Sequence, residues 1–206
     1  MKQQLFEAIE KHDLNGLAEV LKQGADPNAT QAEWPKFTAL QAAINELEDG
    51  GPLDAVRLLL SFGAKVDRWD PDHAATPLLM AVFRGQRDAV RMLLSLGANP
   101  NVRGDEGDSP LRWCAEQGDL ETAKLLLEHG AHKTIDDSGG ACGCTALGRA
   151  AMGLNLPMID LLLAAGADPE ARDADGRTAR QRLPAGEPGN ERLVALALAR
   201  LKRRAY

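Results

Sequence analysis

Residues 76–98 read TPLLMAVFRGQRDAVRMLLSLGA, and this stretch carries the signals of two short helices joined by a turn. Thr76 is a good N-cap residue, because its hydroxyl can accept a hydrogen bond from a backbone N–H that has no partner in the first helical turn. Pro77 suits the first helical position, where no N–H is needed. The second apolar segment, MLLSL, ends at Gly97, which can adopt the left-handed conformation that terminates a helix. The stretch therefore predicts a helix–turn–helix unit.

The same pattern recurs along the chain with a nearly constant period. The Gly-Ala dipeptide that ends the second helix occurs five times, in steps of 39, 34, 33 and 36 residues, with its glycine at Gly24, Gly63, Gly97, Gly130 and Gly166. A Thr or Ser followed by Pro or Ala and then Leu begins the first helix at Thr38, Thr76, Ser109 and Thr145. The last three markers precede their glycine by 21 residues and Thr38 by 25, so we expect about four extra residues near 48–52. A repeat architecture follows from this phase.

The two markers together resemble the ankyrin-repeat family, which has a period of 33 residues and the signature TPLHxA. The resemblance implies an all-α repeat solenoid of helix-turn-helix units with β-turn fingers, in about five to six repeats including degenerate caps. We predict one domain over 1–206, with central repeats at 30–178 between capping repeats at 1–29 and 179–206. The histidine that supports the finger hydrogen bonds in the family is replaced in all four clear motifs, by Gln41, Leu79, Arg112 and Gly148.

The charge distribution bears on the partner and on location. The formal net charge is −6, and since residues 172–206 carry nine Lys or Arg and four Asp or Glu, or +5, residues 1–171 carry −11. An acidic body argues against nucleic acid and favours a protein partner with a basic surface. The basic residues of the predicted last helix, 191–204, suit the negative end of its dipole better than a nucleic-acid or membrane role. Without an apolar run long enough for a transmembrane helix or a signal peptide, we expect a cytoplasmic monomer.

Three cysteines, with no signal peptide, predict reduced thiols rather than a disulfide framework. One cluster, HGAHKTIDDSGGACGC at 129–144, could supply a tetrahedral zinc ion with His129, His132, Cys142 and Cys144. The Cys-x-Cys spacing is tighter than is usual for zinc, and Gly139-Gly140 predict a floppy loop. The chain also lacks a Gly-rich phosphate loop, a nucleophile elbow and an HExxH motif. We therefore expect no cofactor, no metal and no enzymatic activity.

Ankyrin-like arrays, by resemblance, bind partners through the fingers and the exposed side of the inner helices, which form the concave surface. Five of the eight aromatic residues fall in such positions, and aromatic residues are common interface anchors. Acidic finger residues surround them in the sequence. The predicted partner-binding residues are Trp34, Phe37, Trp69, Asp70, Asp72, His73, Phe83, Arg84, Asp105, Glu106, Asp108, Trp113, Glu116 and Gln117.

Several functions are compatible with this pattern. The first is an adaptor or inhibitor that captures one partner protein on the concave face. The second is a cytoplasmic immunity protein that neutralises a toxin, its acidic face covering a basic active site. The third is a secreted effector that binds host proteins, and the fourth, least favoured, is a metal-dependent enzyme using the His129 and Cys142 region.

Overall fold

The computed structural model describes residues 1–70, 75–186 and 189–202. Over these residues the chain forms eleven α-helices and two 3-10 turns, and its only β-structure is two isolated bridges. It divides into two compact units, Met1–Asn99 and Pro100–Tyr206. The all-α repeat fold expected from the sequence is confirmed.

The first unit consists of three helix pairs. In each pair the first helix is the inner one and the second the outer one, and within this unit each helix packs on its counterpart in the following pair. A 3-10 turn, Glu46–Asp49, follows the third helix and overlaps the start of the predicted insertion at 48–52. The helices are α1 (Lys2–Glu10), α2 (Leu14–Lys22), α3 (Ala39–Asn45), α4 (Leu53–Ser61), α5 (Pro77–Phe83) and α6 (Arg87–Ser95).

The second unit repeats the arrangement and ends with an altered pair. A 3-10 turn, Ala179–Arg182, stands where the last inner helix would be and packs on α9. The last helix ends at Leu201, earlier than the predicted 204, and Arg203 and Arg204 lie outside the described residues. The helices are α7 (Pro110–Gln117), α8 (Leu120–Glu128), α9 (Ala146–Met152), α10 (Leu156–Ala164) and α11 (Glu191–Leu201).

Stacking stabilises helices that are too short to persist alone. Apart from α11, with 11 residues, each helix has seven to nine residues, below the length at which an isolated helix is stable in water. Leucines of both helix types are fully buried between neighbours, among them Leu40, Leu59, Leu111 and Leu126. Each repeat therefore depends on its neighbours for a core.

The predicted helix signals act as expected. Thr38, Thr76, Ser109 and Thr145 each accept a hydrogen bond from the backbone N–H three residues later. The glycines of the five Gly-Ala dipeptides all have positive φ, between +86° and +104°. Both ends of the repeating unit are thus fixed by the residues that the sequence pattern singled out.

Other side chains replace the missing histidine. The Gln41 Nε2 donates to the Asp70 carboxylate at 3.0 Å and to the Ala75 carbonyl at 2.9 Å, and so joins the inner helix to the following finger. Arg112 forms an ion pair with Asp108, and its Nη1 donates to Glu116 at 3.0 Å. Gln41 thus reaches the finger through two hydrogen bonds, and Arg112 through an ion pair.

A second set of hydrogen bonds links consecutive repeats. Asn28 donates to the Gly63 carbonyl at 3.0 Å and accepts from the Lys65 N–H at 2.8 Å. Asn101 makes the same pair of bonds two repeats later, to Gly130 at 2.9 Å and Lys133 at 3.0 Å. Because the side chain satisfies both a carbonyl and an N–H near a helix end, it fixes the spacing of adjacent repeats.

None of the helices in the described parts of the chain has the length and apolar character needed to cross a bilayer.

Candidate functional site

An open cleft of about 420 Å³ lies in the first unit, between the finger at 30–38 and the inner helices α3 and α5. Its surface is mainly apolar, and aromatic rings from two repeats contribute to it. The lining residues are Trp34, Pro35, Phe37, Asn45, Ala75, Met80, Phe83 and Arg84.

The two aromatic residues of the finger at 30–38, Trp34 and Phe37, differ in their exposure to solvent. The Gln31 N–H donates to the Phe37 carbonyl at 2.9 Å, and a bridge between Thr30 and Thr38 closes the finger below its tip. Trp34 at the tip is 79% exposed, whereas Phe37 is only 8% exposed. The expectation that Phe37 is an exposed finger residue is therefore wrong: it immediately precedes the helix N-cap, where apolar side chains usually pack back on the first turn.

The inner helix α5 supplies the opposite side of the cleft. Phe83 is its last residue and is half-buried, and Arg84 follows as the exposed C-cap. The Arg84 guanidinium forms an ion pair with Glu48, which belongs to the inserted 3-10 turn. Sequence reasoning missed Glu48, and the signal that could have found it was the insertion, which places a charged turn beside the cleft.

The second finger of the first unit contains one exposed and one buried predicted residue. Trp69 is 44% exposed, as a partner-binding residue would be. Asp70 is 4% exposed and accepts the hydrogen bond from Gln41, so its carboxylate has a structural partner and the expectation of an exposed acid is wrong. Asp72 and His73 lie outside the described residues.

In the second unit, two of the four predicted acidic residues, Asp108 and Glu116, are paired with arginine. Asp105 and Glu106 are exposed at the finger tip, and Gln117 is exposed at the end of α7. Trp113 is half-buried. Asp108 pairs with Arg112, so it is not one of the solvent-facing acids that the sequence suggested.

The carboxylate of Glu116 forms ion pairs with two arginines, Arg112 and Arg149. Glu116 lies 3.0 Å from Nη1 of Arg112 and 2.6 Å from Nη2 of Arg149. The Arg112 side chain is 3% exposed, and burial lowers the pKa of its guanidinium, while the nearby carboxylate of Glu116 opposes that shift. The buried charge thus needs these carboxylates, which makes Asp108 and Glu116 part of the fold.

The four side chains weighed above as possible zinc ligands do not come together. Among the described residues no group of three His, Cys, Asp or Glu side chains is close enough to hold a metal ion, and the His129 Nδ1 lies 2.9 Å from the Leu125 carbonyl. Cys142 and Cys144 are joined by a disulfide bond, which corrects the expectation that all thiols are reduced. The physical reason is local, because the turn through Gly143 brings their Cα atoms within 5.3 Å.

Comparison with known proteins identifies the same repeat family. The family described as Ankyrin repeats (3 copies) matches residues 5–104 and 96–173. Human diacylglycerol kinase iota is 33% identical over 118 residues, which are 57% of this chain and 11% of that protein. The match therefore spans only about a tenth of that relative.

Two solved structures are similar over nearly the whole chain. EF0377, an ankyrin repeat protein, has a TM-score of 0.79 and 24% identity, covering 98% of both chains, and this likeness establishes the fold. A chain in the structure of the Bd0816 predatory endopeptidase from Bdellovibrio bacteriovorus in complex with immunity protein Bd3460 has a TM-score of 0.70 and 25% identity. It covers 98% of this chain and 97% of that one.

Proposed function

Because this chain belongs to the ankyrin-repeat family, we propose that it binds a partner protein and acts as an adaptor or inhibitor, and that it is not an enzyme. The fold of this family is typically a non-enzymatic binding module, and its members' functions depend on the surface residues of each protein. We further propose that it is a cytoplasmic monomer whose partner is neither nucleic acid nor membrane.

The exposure of Trp34 at the edge of an apolar cleft is the observation that carries the proposal. A tryptophan that is 79% exposed leaves a large apolar surface in water, and burial by a partner would recover that free energy. Trp and Arg are the residue types most enriched among interface hot spots, and Arg84 borders the same cleft. Phe83 and the finger therefore form the proposed contact surface in the first unit.

The test is affinity capture from a lysate of the source cell, read by mass spectrometry, followed by affinity measurement with the captured protein. Trp34→Ala and Phe83→Ala should each weaken binding by about 2 kcal/mol or more, roughly 30-fold, with little effect on the unfolding midpoint. Phe62→Ala is the matched control, because Phe62 is 38% exposed but does not line the cleft.

Two outcomes would count against this surface. If Trp34→Ala and Phe62→Ala bind the captured protein equally well, the cleft is not the contact. If Phe83→Ala unfolds the chain, Phe83 is a core residue and not an interface residue.

A second candidate is an immunity protein that neutralises a toxin enzyme. It is supported by the 25% identity, over 98% of this chain, to a chain of a complex that contains an endopeptidase and an immunity protein. The net charge of −6 favours a basic enzyme as the partner, although Asp70, Asp108 and Glu116 have structural partners and weaken the case for a polyanion mimic.

This candidate has its own test. The captured partner should be an enzyme that wild-type protein inhibits at a one-to-one ratio and Trp34→Ala does not. Its association rate should fall as salt is raised, since screening weakens long-range attraction. A partner without catalytic activity, or inhibition that Trp34→Ala retains in full, would leave the simpler adaptor as the function.

A further inference from the structure

Three sulfur atoms meet at the base of one finger in the second unit. The disulfide joins Cys142 to Cys144, and the Sγ of Cys144 lies 3.6 Å from the Sδ of Met152, the last residue of α9. Cys144 is fully buried and Met152 is 39% exposed, so the cluster reaches from the core to the surface. Packing alone does not require this combination of soft donor atoms.

The backbone around the cluster is fixed. The Gly143 N–H donates to the Gly140 carbonyl at 2.9 Å, and the Ala174 N–H of the next finger donates to the Gly143 carbonyl at 3.0 Å. A bridge between Gly139 and Cys144 closes the base of the finger. The two cysteine side chains are therefore held on the same side of a defined turn.

Two polar groups of the protein lie close to the Cys142 sulfur. The Nη1 of Arg149 lies 3.8 Å from the Sγ of Cys142, and the backbone N–H of Cys144 donates to the same sulfur at 3.3 Å. A neighbouring cation and a hydrogen-bond donor both stabilise a thiolate relative to a thiol.

The donor set distinguishes between metals. Zinc takes four ligands from cysteine, histidine and carboxylates, and no such group forms among the described residues. Two thiolates and one thioether are soft ligands, and this combination selects Cu(I). The missing nitrogen and oxygen ligands, which argue against zinc, are no disadvantage for a soft monovalent ion.

We propose that Cys142, Cys144 and Met152 of the reduced protein form a binding site for Cu(I). Two thiol molecules of the glutathione class, which together give up two electrons and two protons and become one disulfide, first convert the Cys142–Cys144 disulfide into two thiols. Cu(I) then displaces both thiol protons to solvent and binds the two thiolates, while the Met152 thioether adds a neutral third ligand. The exposed edge of Met152 is the entry path from solvent.

The test is a competition titration of the full chain, reduced with a phosphine and desalted under anaerobic conditions. The protein should remove one Cu(I) per chain from the coloured bicinchoninate complex, and X-ray absorption should show only sulfur ligands. The double variant Cys142→Ser/Cys144→Ser should not take up the metal. Met152→Leu, a conservative change at a half-exposed position, should weaken binding by roughly 10–100-fold, the scale of losing a supporting group at a metal site.

Matched controls separate the site from general sulfur content. Cys114→Ala removes the buried thiol elsewhere in the chain, and Met92→Leu repeats the methionine change outside the cluster; both should bind like the wild type. The disulfide-bonded chain should not bind. The proposal is overturned if the reduced wild type leaves Cu(I) with the chelator, if Met152→Leu binds as tightly as Met92→Leu, or if the oxidised chain binds as well as the reduced one.

Discussion

At the residue scale, Gly97 shows what a single backbone conformation contributes. Its φ is +86°, and no atom lies within 4 Å of the place where a Cβ would be. A substitution there tests conformational strain without a steric clash. The same geometry recurs at the other Gly-Ala dipeptides, so the result applies to every repeat.

We expect Gly97→Val to lower the free energy of unfolding by about 1–2 kcal/mol, because a β-branched residue is strained at positive φ. Urea denaturation followed by circular dichroism measures the change. Gly153→Ala is the control, since Gly153 has φ near −80° and an added Cβ would meet only ordinary contacts. Equal destabilisation by both changes would refute the conformational explanation.

Asp173 is a buried carboxylate that the last repeat depends on. Its side chain is 1% exposed and accepts hydrogen bonds from Arg182 Nε and from the backbone N–H groups of Asp175 and Arg177. Burial raises the pKa of Asp173, but these hydrogen bonds and the Arg182 charge outweigh it and leave the pKa below its ordinary value. The folded state therefore favours the ionised form.

Asp173→Asn should lower the free energy of unfolding at pH 7 by about 1.5–3 kcal/mol, the range for a hydrogen bond to a charged group. The folded pKa lies below the unfolded value of about 3.9, so the stabilisation is complete above that value and is lost as the pH falls through the folded pKa. Urea titrations at neutral and acid pH should show the difference from wild type shrinking in acid. If the difference stays the same in acid, the ionised Asp173 carboxylate is not the source of the stabilisation. Glu170→Gln is the control: Glu170 is exposed, so the change should alter the free energy of unfolding by less than about 0.5 kcal/mol.

At the element scale, two fingers of the second unit touch through glycine backbone. The Gly140 N–H donates to the Glu106 carbonyl at 2.8 Å, and a Cβ added at Gly139 would lie 2.1 Å from the Gly107 carbonyl oxygen. Gly139-Gly140, which the sequence suggested were a floppy insertion, are thus a contact between adjacent repeats. Only residues without a Cβ permit this approach.

Gly139→Ala should lower the free energy of unfolding by about 1–3 kcal/mol, the usual effect of forcing extra volume into a packed contact. Gly186→Ala is the matched control: neither glycine has positive φ, but a Cβ at Gly186 would meet nothing closer than 3.9 Å. Thermal unfolding of both variants measures the difference. If the two variants have the same midpoint of thermal unfolding, the contact between the fingers contributes nothing to stability.

At the scale of the whole molecule, the sequence predicts one domain, and the tryptophans allow a direct test. Trp34 and Trp69 lie in the first compact unit and Trp113 in the second. Trp113→Phe leaves reporters only in the first unit, and Trp34→Phe/Trp69→Phe leaves one only in the second. Single-domain folding predicts that, in each variant, the fluorescence and circular dichroism midpoints in urea coincide.

Separate midpoints for fluorescence and circular dichroism in either variant would instead show that the two units unfold independently. Comparison within one variant removes the direct effect of the Trp→Phe changes on stability. Coincident midpoints would also show that neighbouring repeats unfold cooperatively along the whole chain, as expected for an array in which each repeat is stabilised by its neighbours.

The sequence by itself determined the repeat. Thr or Ser before the inner helix and Gly after the outer helix act through hydrogen bonds and backbone angles within a few residues, so their positions alone predicted the helix caps. The apolar segments between them predicted the stacking, because helices this short are stable only against neighbours. The exposure of Trp34 also agrees with its predicted place at a finger tip.

Only the tertiary structure decided which polar residues are available to a partner and what the irregular residues do. Asp70, Asp108 and Glu116 look like surface acids in the sequence, but Gln41 binds Asp70 and Arg149 binds Glu116 from other repeats. Arg112 pairs with Asp108 and Glu116 from four residues away. The sulfur cluster likewise joins a finger to the end of a helix. A side chain's burial and its long-range partners depend on packing between repeats, which a local pattern of residues does not specify.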